Sequence, residues 1–222
     1  MRASIRVAVP LFLLLLASGA SAAELPSPLP SGTWLPGLDP ARLEDARPGS
    51  WVEYRLTLDG RPVGGYLRYV YAGRDGGGIL LELWVSSRPG SGAMAFRLRL
   101  ERLPDGRYRI DWIRQRLLGG EILEVPMDAG EAEVPDLSTA VEGEFGWTRT
   151  TVMTGAGALP ARMVELRRHG HPGLRIWFAD SVPIFGIARL EQPGGAGWEL
   201  HACGEGGRLL FDAGDTASDS RR

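Results

Sequence analysis

Residues 93–118 read AMAFRLRLERLPDGRYRIDWIRQRLL. In the first arm Phe96, Leu98 and Leu100 alternate with Arg97, Arg99 and Glu101, and the second arm opens Arg107, Tyr108, Arg109, Ile110, Asp111, Trp112. An apolar residue at every second position is the signature of a strand with one face turned to a core. Pro104-Asp105-Gly106 between the arms supplies the turn, so the stretch reads as a β-hairpin. The alternation slips at Trp112-Ile113, which predicts a β-bulge there.

The same reading extends in both directions. Upstream, Val52, Tyr54, Leu56 and Leu58 share one face of a strand and Glu53, Arg55, Thr57 and Asp59 the other, with Asp59-Gly60 as the turn. Strands are expected at 66–72 and 79–86, divided by the glycine-rich segment 73–78, and at 93–102 and 107–118, which 88–92 sets apart from the strand before them. This is an antiparallel meander. Further strands are expected at 120–125, 143–153, 162–169, 174–179, 184–192 and 198–203. One helix precedes them: Asp39 as N-cap with Pro40 in the first turn predicts about two turns before Pro48-Gly49 stops it. With one short helix available, the apolar face has to be covered by the sheet curling over itself. The fold class expected is therefore all-β, an antiparallel half-open barrel with one short N-terminal helix, and a Greek-key sandwich is the competing arrangement.

The ends of the chain have a different character. Arg2 and Arg6, the apolar run 7–17 and Ala20-Ser21-Ala22 follow the plan of a secretory signal over residues 1–22. The run is too short to span a bilayer, so a soluble periplasmic product released by cleavage is expected. Residues 23–47 read as an extended leader with the short helix, 48–211 as the barrel-like domain and 212–222 as a disordered tail. Cys203 is the single cysteine, so no internal disulfide staples the fold.

Composition removes several functions. The 222 residues carry a formal charge of -2, and all 25 basic residues are arginine. The balance argues against nucleic-acid binding, and the missing lysine removes Schiff-base chemistry and a phosphate-loop lysine. There is no GxSxG elbow and no HExxH helix, so no catalytic role and no cofactor are expected. His169, His171, His201 and Cys203 form two i, i+2 pairs that suit zinc or a thiol catalyst by residue type. HGHP reads equally well as a turn, and a buried free thiol is the plainer reading of Cys203. Segment 121–144 holds acids and no base, while 88–116 is rich in arginine. This pair of charged stretches is either two solvated faces in mutual attraction or a lip and a surface for a protein partner or anionic head groups.

The aromatic side chains point to an apolar ligand. Trp84, Trp112, Trp177, Tyr54 and Phe178 all lie on expected strands, where rings fill a barrel or line its hollow. They are the ligand-lining residues expected for a concave face, in a chain expected to be a monomer.

Three blocks carry a resemblance: GSWVEYR at 49–55, TGAGALPAR at 154–162 and IWFADSVPIFGIA at 176–188. They look like recurring blocks of uncharacterised exported bacterial proteins resembling the LolA/LolB-like lipoprotein-carrier superfamily, over most of residues 48–203. The resemblance implies a half-open barrel that shelters acyl chains beneath a lid, with segment 127–141 in the lid's place. It further implies a lipid or lipidated peptide as partner. The other reading is a packed cell-envelope assembly domain that docks a protein.

Overall fold

The computed structural model describes residues 35–36, 39–90, 94–117, 120–127, 132, 134, 147–168 and 171–211. The expected signal segment 1–22, the tail 212–222 and nearly all of 127–141 lie outside the described residues. Helix α1 (Pro40–Asp45) is followed by eleven strands: β1 (Trp51–Leu58), β2 (Arg61–Asp75), β3 (Gly78–Ser86), β4 (Met94–Arg102), β5 (Tyr108–Arg116), β6 (Ile122–Val125), β7 (Thr148–Thr154), β8 (Gly157–Arg168), β9 (His171–Phe178), β10 (Ile187–Glu191) and β11 (Ala196–Gly204). Asp39 caps α1 by accepting from the Ala41 N–H at 3.1 Å.

All strands join one antiparallel sheet in the order β6-β5-β4-β3-β2-β1-β11-β10-β9-β8-β7. Two meanders therefore stand side by side, sewn together where the first strand pairs with the last. The sheet does not close: β6 and β7 are its two ends. Its tight turns have the chemistry the sequence promised. Asp59 and Gly60 both take positive φ (50° and 72°), as do Gly76 and Gly77 (54° and 88°), the geometry that lets a two-residue turn match strand twist. The bulge falls at Asp111: Arg99 faces Trp112 and Leu100 faces Ile110, so Asp111 is the extra residue, and Arg99 reaches its carboxylate at 2.5 Å.

Alternation then sorts the side chains. Val52, Tyr54 and Leu56 of β1, Ile79, Leu81 and Leu83 of β3, and Phe96, Leu98 and Leu100 of β4 point to one face and are all buried. In the second half Val164, Ile176, Phe178 and Leu200 join them. Leu43 of α1, Leu35, Val134 and the loop 179–186 cover this inner face. Burying a side chain of this kind contributes roughly 1.5–3 kcal/mol each. The concave side is thus a packed core over most of its area, sealed by Tyr54, Tyr69 and Phe185, each fully buried.

Several expected boundaries shift: the strand read over 66–72 spans Arg61–Asp75 and the one read over 162–169 spans Gly157–Arg168. The strand read over 184–192 begins at Ile187, because Ile184 and Gly186 take positive φ (65° and 67°) and turn the chain first. The strand read over 143–153 begins at Thr148.

Candidate functional site

Of the five residues expected to line a ligand cavity, the sheet brings two together on the concave side and sends three to the other face. Tyr54 and Phe178 lie in the core. The Tyr54 hydroxyl donates to the Ile187 carbonyl at 3.0 Å, and burial, with Tyr69 and Cys203 nearby, pushes its pKa well above the ordinary value. It is a structural phenol. Trp84 belongs to a separate buried cluster with Val70, Ala95 and Phe211 on the outer face. Trp112 packs under Arg114, whose guanidinium carbon stands 4.6 Å from the ring centre. Trp177 lies beneath Arg189 at 5.4 Å. Its register neighbours are Met163 and Arg189, while Ile176 and Phe178 on either side turn inward. The physical reason is the period of two: three of the tryptophans sit out of phase with the core positions of their own strands.

The arginine-rich strands are likewise committed within the fold. Arg97 pairs with Glu82 at 2.7 Å, Arg99 with Asp111, Arg102 with Glu44 at 2.9 Å and Arg109 with Glu101 at 2.6 Å. These partners all lie outside segment 121–144, so the pairing is with carboxylates of the same and neighbouring elements and not with the acidic stretch. Segment 121–144 lies largely outside the described residues.

An open cleft exists at the rim of the concave side. It has a volume of about 480 Å³ and is walled by the β7–β8 turn (Gly155, Ala156, Leu159), the loop residues Ser181 and Val182, and β11 from Leu200 to Cys203. Three local events build it. First, the Gly155 N–H donates to the Leu200 carbonyl at 3.0 Å, folding the hairpin tip against β11. Only glycine permits that approach, since a Cβ at 155 would stand 2.9 Å from His201 Nδ1 and 3.0 Å from its Cα. Second, β11 carries a bulge opposite β1: Glu53 faces Ala202 and Tyr54 faces Leu200, leaving His201 as the inserted residue. Bulges re-aim side chains, and here the imidazole meets Tyr66 edge-on at 5.2 Å.

Third, the 179–186 loop folds on itself. Ala179 N–H donates to the Gly186 carbonyl at 2.8 Å and Val182 N–H to Ala179 at 3.1 Å. Ile184, a β-branched residue at positive φ, is strained by an amount of order 1–3 kcal/mol. Its burial beside Phe185, which meets Tyr69 edge-to-face at 4.9 Å, holds it there. Arg42 from α1 pairs with Asp180 on the loop, and a Cβ at Gly186 would stand 2.6 Å from the Arg42 Nε. The segment ADSVPIFG, residues 179–186, is therefore the cover of the inner face.

Chemically the cleft sets small and aliphatic side chains beside three that carry heteroatoms, Ser181, His201 and Cys203. The Cys203 thiol is half-buried, and burial raises its pKa, which favours the neutral thiol. His201 Nδ1 is buried without a hydrogen-bond partner, an arrangement that invites a polar group. Among the described residues no group of three or more His, Cys, Asp and Glu is placed to hold a metal ion. Of the candidate zinc set, His169 lies outside the described residues, as does the side chain of His171. Sequence reading did not single out the cleft: its one signal was the i, i+2 pair His201 and Cys203, whose meaning depends on a turn more than forty residues upstream.

No family model matches this sequence, and no curated protein matches it. Solved structures do. An exported-type protein with a YmcC-like fold from Bacteroides fragilis is 12% identical, with 72% of this chain and 97% of that one covered and a TM-score of 0.41. The hypothetical protein CT021 from Chlamydia trachomatis is 10% identical over 78% of this chain and 95% of that one, TM-score 0.47. MucB is 12% identical over 81% of this chain and 61% of its own length, TM-score 0.41. No helix among the described residues is long and apolar enough to cross a membrane.

Proposed function

We propose that the protein is a non-catalytic, exported binding protein that takes an acyl chain or similar apolar group into the cleft between the β7–β8 turn and β11. The observation that carries this reading is the cleft: about 480 Å³, walled by glycine, alanine, leucine and valine together with Ser181, His201 and Cys203, at the rim of a concave face otherwise filled. That volume falls within the roughly 300–1,000 Å³ of small-ligand sites, which are mostly apolar with few polar groups. Ser181, His201 and Cys203 supply the polar side chains of the cleft wall for a head group. The reading agrees with the resemblance to lipoprotein carriers and relocates the ligand from the aromatic residues of the strands to the rim.

The test is organic extraction and mass spectrometry of protein purified from a periplasm, with titration of a fluorescent fatty acid. Saturable uptake is expected in the parent and in Trp177→Ala, and is lost in Ala156→Trp, which fills the cleft from an exposed turn and replaces no core side chain. Absence of both bound lipid and uptake overturns the reading. The packed inner face favours a second reading, an envelope assembly domain that docks a protein partner, which that result would leave standing.

A further inference from the structure

The two ends of the sheet are built differently. Strand β6 has four residues, carries Glu124, is preceded by Glu121 and followed by Pro126. Beyond it the chain continues along β5, where the Ile110 N–H donates to the Ala132 carbonyl at 2.7 Å. Short length, charge, proline and cover are the usual protections of a sheet edge against a foreign strand. Strand β7 is longer, has no proline and no cover among the described residues, and its single charge, Arg149, stands exposed. Its seven residues, TRTTVMT, pair with β8 in unbroken register from Thr148 opposite Met163 to Thr154 opposite Gly157. Thr148, Arg149, Thr150, Thr151 and Met153 are exposed, Met153 to 67%.

This open edge is also held in place. At one end Trp147 stacks on Phe178 at 5.8 Å. At the other, Gly155 is bonded to Leu200. Val152 is buried between them. A pre-ordered edge loses little further freedom when a strand is added, which favours binding.

Its exposed side has a chemical pattern. Arg149, Thr151 and Met153 alternate with the buried Val152 and so share one side. Arg149 stands directly opposite Arg162 in the register. Like charges at such a position repel. Arg162 is offset by Asp180 at 3.4 Å and by Trp147 beneath it at 5.2 Å, while Arg149 pairs with no carboxylate among the described residues. An added strand would place one side chain against Arg149 and, four residues along, another against Met153.

We propose that β7 is a strand-addition site for an extended segment of a partner protein, one that sets an acidic residue against Arg149 and an apolar residue four positions away against Met153. A second copy of this chain fits less well, because antiparallel β7 to β7 pairing centred on Thr151 sets Arg149 against Met153. The site is separate from the cleft and does not depend on the binding of an apolar ligand.

The test uses the full exported chain and two labelled synthetic peptides as long as β7, of alternating threonine and valine. One carries glutamate and leucine four residues apart, and the other has lysine for the glutamate. Fluorescence anisotropy is expected to show the glutamate peptide binding about tenfold tighter than the lysine peptide. Arg149→Glu, an exposed change that leaves the fold intact, is expected to reverse the order. Hydrogen exchange should slow at 148–154 on binding and remain unchanged at 200–203. Binding that ignores Arg149→Glu, protection that falls on β11 instead, no saturable binding, or dimers that protect β7 without peptide would each overturn the proposal.

Discussion

The outer face of the sheet is treated in opposite ways in its two halves, although both pair arginine with glutamate across neighbouring strands. Over β8–β10 the pairs stand near solvent: Arg175 on β9 approaches Glu165 on β8 at 3.7 Å and Glu191 on β10 at 3.9 Å, with the arginine 50% exposed. Over β3 and β4, Arg97 and Glu82 are 3% and 0% exposed. The difference is made by residues 205–211, which return across the first half as a strap. Glu82 accepts from Arg97 at 2.7 Å, from the Leu210 and Phe211 N–H groups at 2.8 and 3.1 Å, and from the Trp84 indole at 3.2 Å. Arg97 also donates to the Phe211 carbonyl at 2.8 Å, and Arg116 reaches the Leu210 carbonyl. The buried carboxylate is the anchor of the strap. An ion pair of the same composition is thus a minor surface contact in one half and an obligatory fastening in the other, because a buried charge has no water to fall back on.

The largest test of this contrast is Arg97→Ala. It leaves Glu82 buried and uncompensated, and is expected to cost about 3–5 kcal/mol in urea unfolding. A loss near 1 kcal/mol would mean that the strap lifts easily and water reaches the carboxylate. Alkaline pH attacks the same half by another route, since all five tyrosines lie between residues 54 and 108. Tyr54 and Tyr69 have pKa values raised by burial. The folded state then holds protons that the unfolded chain releases above about pH 10, so stability is fully present below that pH and falls as it rises, by up to about 1.4 kcal/mol per unit for each ring. Stability curves followed by tyrosinate absorbance should show this, with hydrogen exchange rising first in β1 and β2.

Phe211→Leu keeps an apolar contact on the strap but removes the ring that Arg97 covers at 4.9 Å. About 1–1.5 kcal/mol is expected, and chemical denaturation would resolve it. Smallest of all, Arg175→Ala in the exposed half is expected to change stability by about 0–1 kcal/mol, an effect that salt diminishes. A larger cost would show that the exposed pairs act as a network and would narrow the distance between the halves.

How far the molecule could be read from its residues follows from the range of each signal. Arg97, Arg99 and Leu98 declare the two faces of β4, and Asp59-Gly60 declares a turn, through neighbours a few residues away. Trp177, flanked by Ile176 and Phe178, carried its outward direction in the same period of two. Trp84 did not: every residue from Gly78 to Trp84 is buried, so both faces of β3 look like core and only the arrival of the strap explains why. The bulge at His201 has no local signature, and the cleft beside it exists because Gly155 reaches Leu200.

The sequence by itself determined the strand list, the tight turns, the antiparallel meanders and the all-β class, since these rest on side-chain alternation and on φ values open to Asp-Gly and Gly-Gly pairs. Tertiary structure alone decided that β1 pairs with β11, that residues 179–186 fill the concave face, that Glu82 is buried beneath the strap, and that β7 has no further strand beside it among the described residues. Those outcomes depend on which distant segment covers which surface, and a chain's local periodicity states that a face is apolar without stating what will lie upon it.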